Sequence, residues 1–160
     1  MRTLKLKSNF LLALVALCSP FFLSSCLKDK NNNKSDTYLI TGNASGSQMV
    51  PPVALGGSGT ITGTYDSKSR VLTYTSTWTG LSGIPTSAGL YSGPVGVNGN
   101  ATGSPWYLGL SAGSSGTLSG TVTLSVIQGA ELIAGGLYYA YTTAANPGGE
   151  IRGQITATIQ

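Results

Sequence analysis

The sequence predicts an all-β fold: a single antiparallel β-sandwich, Greek-key-like, of about eight strands with one short helix, preceded by a signal peptide and a flexible tether. Three observations predict it. Runs of β-branched and aromatic residues recur at short intervals, separated by clusters of Gly, Asn, Pro and Ser. The alternation has period two, most plainly from Glu150 to Ile159, where Ile151, Gly153, Ile155, Ala157 and Ile159 share one face and Glu150, Arg152, Gln154, Thr156 and Thr158 the other. Finally, glycine is abundant and only 9% of residues are charged, a mixture that suits strands and turns rather than helices. An apolar face opposite a polar one predicts an antiparallel sheet covered on a single side.

The chain begins with an address. Arg2, Lys5 and Lys7 precede the apolar run Phe10 to Leu17, and small residues follow, which is the layout of a signal peptide over residues 1–25. The run is too short to span a bilayer core of ~30 Å. Leu23-Ser24-Ser25-Cys26 resembles the bacterial lipobox, so Cys26 is the predicted lipidation site and the palmitate-bearing first residue of a mature lipoprotein. Val15-Ala16-Leu17-Cys18 fits less well, because a bulky Leu precedes its cysteine. Acyl chains contribute ~0.8 kcal/mol per buried CH₂, enough in combination to anchor a chain with no other membrane segment. Residues 26–36, polar after Leu27, are then the lipidated cysteine and a flexible tether.

Residues 37–160 hold the strands. Thr37 to Asn43 is the first, and Val50-Pro51-Pro52 belongs on an edge because proline gives the ladder no N–H. Gly57 to Tyr65 and Arg70 to Thr79 form a hairpin about Asp66-Ser67-Lys68-Ser69. Weaker strands are predicted at Thr86 to Ser92 and Trp106 to Leu110, with a loop from Gly96 to Gly103 between them. Thr117 to Val126 is a clear strand. Gln128 to Ala134 is the one helical stretch, stopped by Gly135-Gly136. Leu137 to Thr143 and Glu150 to Ile159 are strands folded about Asn146-Pro147-Gly148-Gly149. Three Gly-x-aliphatic-x-Gly segments, at Gly59, Gly116 and Gly149, put glycines on an inward face, where Trp78, Trp106 and tyrosines such as Tyr65 or Tyr74 are expected to cover them.

Charge and composition exclude several functions. The net charge of +4 resides mostly at the N-terminus; from Thr37 onward Lys68, Arg70 and Arg152 balance Asp66, Glu131 and Glu150, so no nucleic-acid footprint exists. The whole chain has no histidine, and both cysteines, Cys18 and Cys26, lie in the leader region. That removes Ser-His and Cys-His nucleophile pairs and soft metal clusters, so no catalytic residue, metal ligand or cofactor is predicted, and the chain is read as not an enzyme. Glu150 and Arg152, neighbours on one strand face, are read as an ion pair with some capacity to orient a ligand. Tyr91, Tyr138, Tyr139 and Tyr141 are the remaining ligand candidates, as an aromatic platform for sugar rings.

A family resemblance rests on four segments: Gln48-Met49-Val50-Pro51-Pro52, Gly59 to Asp66, Arg70-Val71-Leu72-Thr73-Tyr74, and above all Thr143-Ala144-Ala145-Asn146-Pro147-Gly148-Gly149-Glu150-Ile151-Arg152-Gly153-Gln154-Ile155. Together they resemble the CHRD domain, named after repeats in chordin and widespread in bacterial secreted proteins, over essentially Thr37 to Gln160. The resemblance implies an extracytoplasmic β domain. Members often carry His-x-His ahead of a Gly-Pro and a further His before the Thr-Ala-Ala-Asn-Pro-Gly-Gly signature. Gly89-Leu90-Tyr91 and Thr142 stand there instead. Any metal those histidines hold in relatives is therefore not expected here. Met49 also replaces the acidic residue usual before Val-Pro-Pro.

The expectation is a lipid-anchored protein of the cell envelope, at the outer membrane, with a non-catalytic binding or structural role. Its partners are the membrane, through lipid on Cys26, and a glycan or envelope protein; nucleic acid is excluded. An adhesin or carbohydrate-binding module is the alternative, marked by exposed tyrosines lining a groove. An enzyme or metalloprotein akin to the histidine-bearing members ranks third.

Overall fold

The computed structural model describes residues 35–54, 57–109 and 113–160. The signal peptide, Cys26 and the tether as far as residue 34 lie outside the described residues, as does Leu110. The strands are β1 (Thr37–Ser45), β2 (Ser58–Asp66), β3 (Val71–Thr79), β4 (Pro85–Ser92), β5 (Ala101–Thr102), β6 (Gly116–Thr123), β7 (Leu137–Thr143), β8 (Ile151–Gln154) and β9 (Thr156–Ile159). A helix, α1 (Val126–Ile133), lies between β6 and β7. All pairings are antiparallel, in the order β5-β4-β7-β8-β1-β2-β3-β6, with β9 also on β1.

This continuous sheet curls over itself. β8 meets β1 through a single residue pair, Arg152 with Ser45, whereas β9 runs along β1 from Thr41–Thr156 to Tyr38–Ile159. The two layers are therefore β5-β4-β7-β8 and β9-β1-β2-β3-β6, a sandwich-like arrangement. Their inner faces meet across Trp78, Tyr139, Tyr141, Ile61, Leu72 and Ile151, all almost fully buried. The Tyr141 hydroxyl crosses the core to Ser76 Oγ at 2.8 Å, satisfying two polar groups that have no access to water.

Trp106 fills the gap between β4 and β6, on the side of the sandwich where the two layers do not pair with each other. Its backbone N–H donates to the Ala88 carbonyl, and its ring stacks on Tyr74 at 4.8 Å between centroids. The expected strand at Trp106 is thus a plug rather than a strand, because one side chain, not a ladder, closes the gap. The short β5 falls instead inside the stretch read as a loop. The aromatic cover over glycines is present on β6: a Cβ on Gly116 would lie 2.4 Å from the Trp78 ring, and one on Gly120 2.8 Å from the Tyr74 hydroxyl. Gly153 is covered by Tyr139, and Gly59 by the aliphatic Ile151.

Two expectations for the C-terminal hairpin need correction. Glu150 to Ile159 is not one strand, because the chain bends at the buried Ile155, whose N–H donates to Leu137. Nor is its polar face wet throughout: Thr156 and Thr158 are exposed, but the end at Glu150 and Arg152 is not. Glu150 and Arg152 are 0% and 1% exposed: Ser82, Thr143 and Asn146 surround the Glu150 carboxylate, while the 93–99 loop and the segment after β1 close over Arg152 and Gln154.

The helix starts two residues earlier than the glycine punctuation suggested. Ser125 accepts from the Gln128 N–H while the Gln128 side chain accepts from the Ser125 N–H, a reciprocal capping box. It ends in a Schellman motif: Gly135 takes φ +73°, its N–H donates to Leu132, and the Gly136 N–H donates to Glu131. Ser125→Ala should lower the unfolding free energy by about 1 kcal/mol in urea melts, with no change in the sheet's circular dichroism.

Candidate functional site

The end of the sandwich opposite Thr37 is where polar groups converge. β1 leads there and turns through Gly46–Gln48, and β8 passes beneath that turn. Arg152 projects to the side away from the core residues Ile151 and Gly153. Its guanidinium carbon lies 3.6 Å from the Tyr138 ring centroid, and Tyr138 in turn stacks on Tyr91 at 5.2 Å. The period-two geometry of β7 puts Tyr138 on this side and Tyr139 and Tyr141 on the other.

The predicted tyrosine platform therefore divides. Tyr139 and Tyr141 are core residues, 0% exposed, and burial pushes both phenols well above their ordinary value. Tyr138 is buried under Arg152, and only Tyr91 is half-buried. These four rings form no single surface to which a sugar could be applied.

The predicted ion pair also divides. Arg152 Nη2 donates to the Pro94 carbonyl at 2.8 Å and to Gln154 Oε1 at 3.2 Å, and Nη1 has no hydrogen-bond partner among the described residues. Burial pushes its pKa down, but guanidinium remains a cation at neutral pH. Glu150 turns elsewhere. Its Oε1 accepts from the Ser82 N–H at 2.6 Å, and its Oε2 accepts from Ser82 Oγ at 2.5 Å, Thr143 Oγ1 at 2.6 Å and Asn146 Nδ2 at 3.3 Å. Burial alone would raise its pKa; the donors of Ser82, Thr143 and Asn146 more than offset that, so the carboxyl titrates below its ordinary value. Each charge is thus compensated by dipoles rather than by the other. Adjacent same-face positions gave the expectation of a pair, but Gly149, at φ +123°, turns the chain just before β8 and sends Glu150 towards Ser82.

Gln154, which the sequence reading placed on a solvated face, ties the site together. Its Nε2 lies within hydrogen-bond distance of the Gly93, Gly135 and Leu137 carbonyls. The loop from Gly93 to Gly99 is held close by Gly99, where a Cβ would lie 1.3 Å from the Ser92 carbonyl oxygen, so only glycine fits. Asn98 Nδ2 then donates to Val50 across the mouth. Between this loop and the turn after β1 is a cavity of about 320 Å³, lined by Met49, Val50, Pro52 and Val95 with Arg152 and Gln154.

The positions at which the family resemblance implies histidine lie on the same outer face of the β4–β7 pair, Gly89 opposite Ala140 and Tyr91 opposite Tyr138, with Thr142 opposite Ser87. Among the described residues no three of His, Cys, Asp and Glu cluster as a metal would require. Thr142 bonds Thr86 there, and Tyr91 stacks on Tyr138.

Fold and site together define an all-β domain in which a buried cation, unpaired among the described residues, lies beneath a small cavity. The family model of the CHRD domain matches residues 40–155, and the chain belongs to that family. No curated protein and no solved structure matches the chain. The CHRD domain is not an established enzyme family.

Proposed function

We propose that this chain is a lipid-anchored protein of the bacterial cell envelope, held through Cys26, whose CHRD domain binds a ligand without transforming it. The observation that carries the reading is the position of the Arg152 cavity at the end of the body remote from Thr37. β1 is nine residues long, so cavity and tether entry are separated by roughly 27 Å at ~3.4 Å per residue. A cavity so located lies at the end of the domain remote from the tether's point of entry, which supports a role in binding at a distance from the anchor. Non-catalytic action is supported by chemistry: no carboxylate is among the residues lining the cavity, and Glu150, two positions from Arg152, has its acceptor sites filled by Ser82, Thr143 and Asn146. Metabolic labelling with palmitate, followed by membrane fractionation, tests the anchor. The wild type should carry label in the envelope fraction, and Cys26→Ser should lose both label and sedimentation; a labelled Cys26→Ser protein would sink the reading.

A further inference from the structure

We infer that the cavity over Arg152 binds a carboxylate carried on a short apolar group. The inference deepens the binding role proposed above and rests on it for its biological setting, though not for its chemistry.

Three observations meet at this one place. Arg152 is 1% exposed and its Nη1 has no partner among the described residues, although nearly all buried donors in native proteins have one. A buried cation left with an unmet donor destabilises the fold, and an apolar side chain of similar volume would pack there at less cost. Its orientation is nonetheless enforced on three sides, by Pro94, Gln154 and the Tyr138 ring. Rigid placement of an incompletely satisfied fork is the arrangement that a planar anion completes.

The surroundings narrow the anion. Arg152 is the single ionisable residue among those lining the cavity, so a ligand bringing one negative charge would be neutralised, whereas a phosphate dianion would leave charge uncompensated. The remaining walls include Met49, Val50, Pro52 and Val95, which offer methyl and methylene groups and call for an apolar tail. Val95 is 77% exposed and Val97 51% exposed, so the adjoining loop carries apolar groups into solvent beside the opening. A volume of about 320 Å³ is at the small end for ligand sites, which suits a short-chain acid or the last residues of a peptide ending in a free carboxylate.

The test is calorimetric titration of the full-length protein, purified in a nonionic detergent, with hexanoate, hexanamide, acetyl-Ala-Val as the free acid, and the same peptide as its C-terminal amide. At least one acid should bind saturably and at least tenfold more tightly than its amide. Arg152→Gln should weaken that binding at least tenfold. Because Arg152 is buried and its loss could unfold the domain, Val95→Asp provides a second variant at an exposed position; its carboxylate, placed on the wall of the cavity that Arg152 also lines, should also weaken the acid at least tenfold. Tighter binding of the peptide acid identifies a chain terminus as the source, and tighter binding of hexanoate identifies a free acid; either supports the inference. Equal binding of acids and amides, no saturable heat with either acid, an unchanged affinity in Val95→Asp, or inorganic phosphate binding as tightly as hexanoate would overturn it. Because anchoring is read separately by palmitate labelling, a failure here leaves that result untouched.

Discussion

Glu150→Ala is expected to cost the domain about 3–5 kcal/mol, read as a fall in the urea midpoint with an unchanged slope. The substitution takes the shared acceptor from the Ser82 N–H and hydroxyl, the Thr143 hydroxyl and the Asn146 amide at once and leaves a hole where Glu150 is 0% exposed, with the Ser82–Thr143 hydroxyl contact retained. Domains of this size are stable by ~5–15 kcal/mol in total, so a large share would go. Glu150→Gln keeps the volume and separates shape from charge. The carboxyl's pKa is lowered on folding, so its contribution is fully present above the unfolded-state value near 4.5 and drains away as pH falls through the lower, native value. Urea midpoints measured from pH 7 down to pH 3 should therefore fall more steeply in the wild type than in Glu150→Gln. Parallel profiles would mean that Glu150 is already protonated in the native state.

The second large effect concerns β2. A Cβ on Gly63 would lie 2.1 Å from the Thr73 carbonyl oxygen and 2.9 Å from the Tyr74 Cα, both backbone atoms of the adjoining strand. No rotamer change relieves such a contact, so β2 and β3 must separate locally and weaken the ladder between them. Gly63→Ala should lower stability by about 3 kcal/mol, the upper range for overpacking. Gly83→Ala and Gly148→Ala are the controls: nothing lies within 4 Å of either added carbon, and both should stay within about 0.5 kcal/mol of wild type. If Gly63→Ala melts with the controls, the close approach of β2 and β3 at this point is wrong.

Much of the fold was legible because its signals are local. The hairpin about Asp66 announces itself twice, in the alternation on either side and in the Asp66 carboxylate that takes the Ser69 N–H and hydroxyl. Ser125, three residues before Gln128, marks a helix start by side-chain chemistry alone, although the glycines downstream drew attention first. What escaped was decided at long range. Nothing near Trp106 in the chain says that it plugs a gap between β4 and β6, and nothing near Glu150 says that Ser82, 68 positions earlier, supplies two of its donors.

The site was legible as residue types but not as geometry. Arg152, Tyr138 and Tyr91 could be picked out as groups with chemistry to offer, and they do come together. Tyr139 and Tyr141 were drawn in with them because aromatic composition carries no face; the strand register does. Gln154 was missed for the opposite reason. Its place in an alternating polar row reads as solvent-facing, and only the folded 93–99 loop and the turn at Gly135 bring the carbonyls that surround its amide nitrogen.

The pairing of β1 with β9 bears on the order of events during synthesis. β1 gains its second neighbour over Tyr38 to Thr41 from residues 156–159, and the Gln160 N–H donates to Thr37, so positions more than a hundred residues apart are joined in one ladder. A chain emerging N-terminus first holds one flank of its earliest strand open until the last strand arrives, and contacts of such separation are slow to form. During that interval the open flank can recruit another chain's strand, which makes nascent copies, rather than finished ones, the vulnerable species for aggregation.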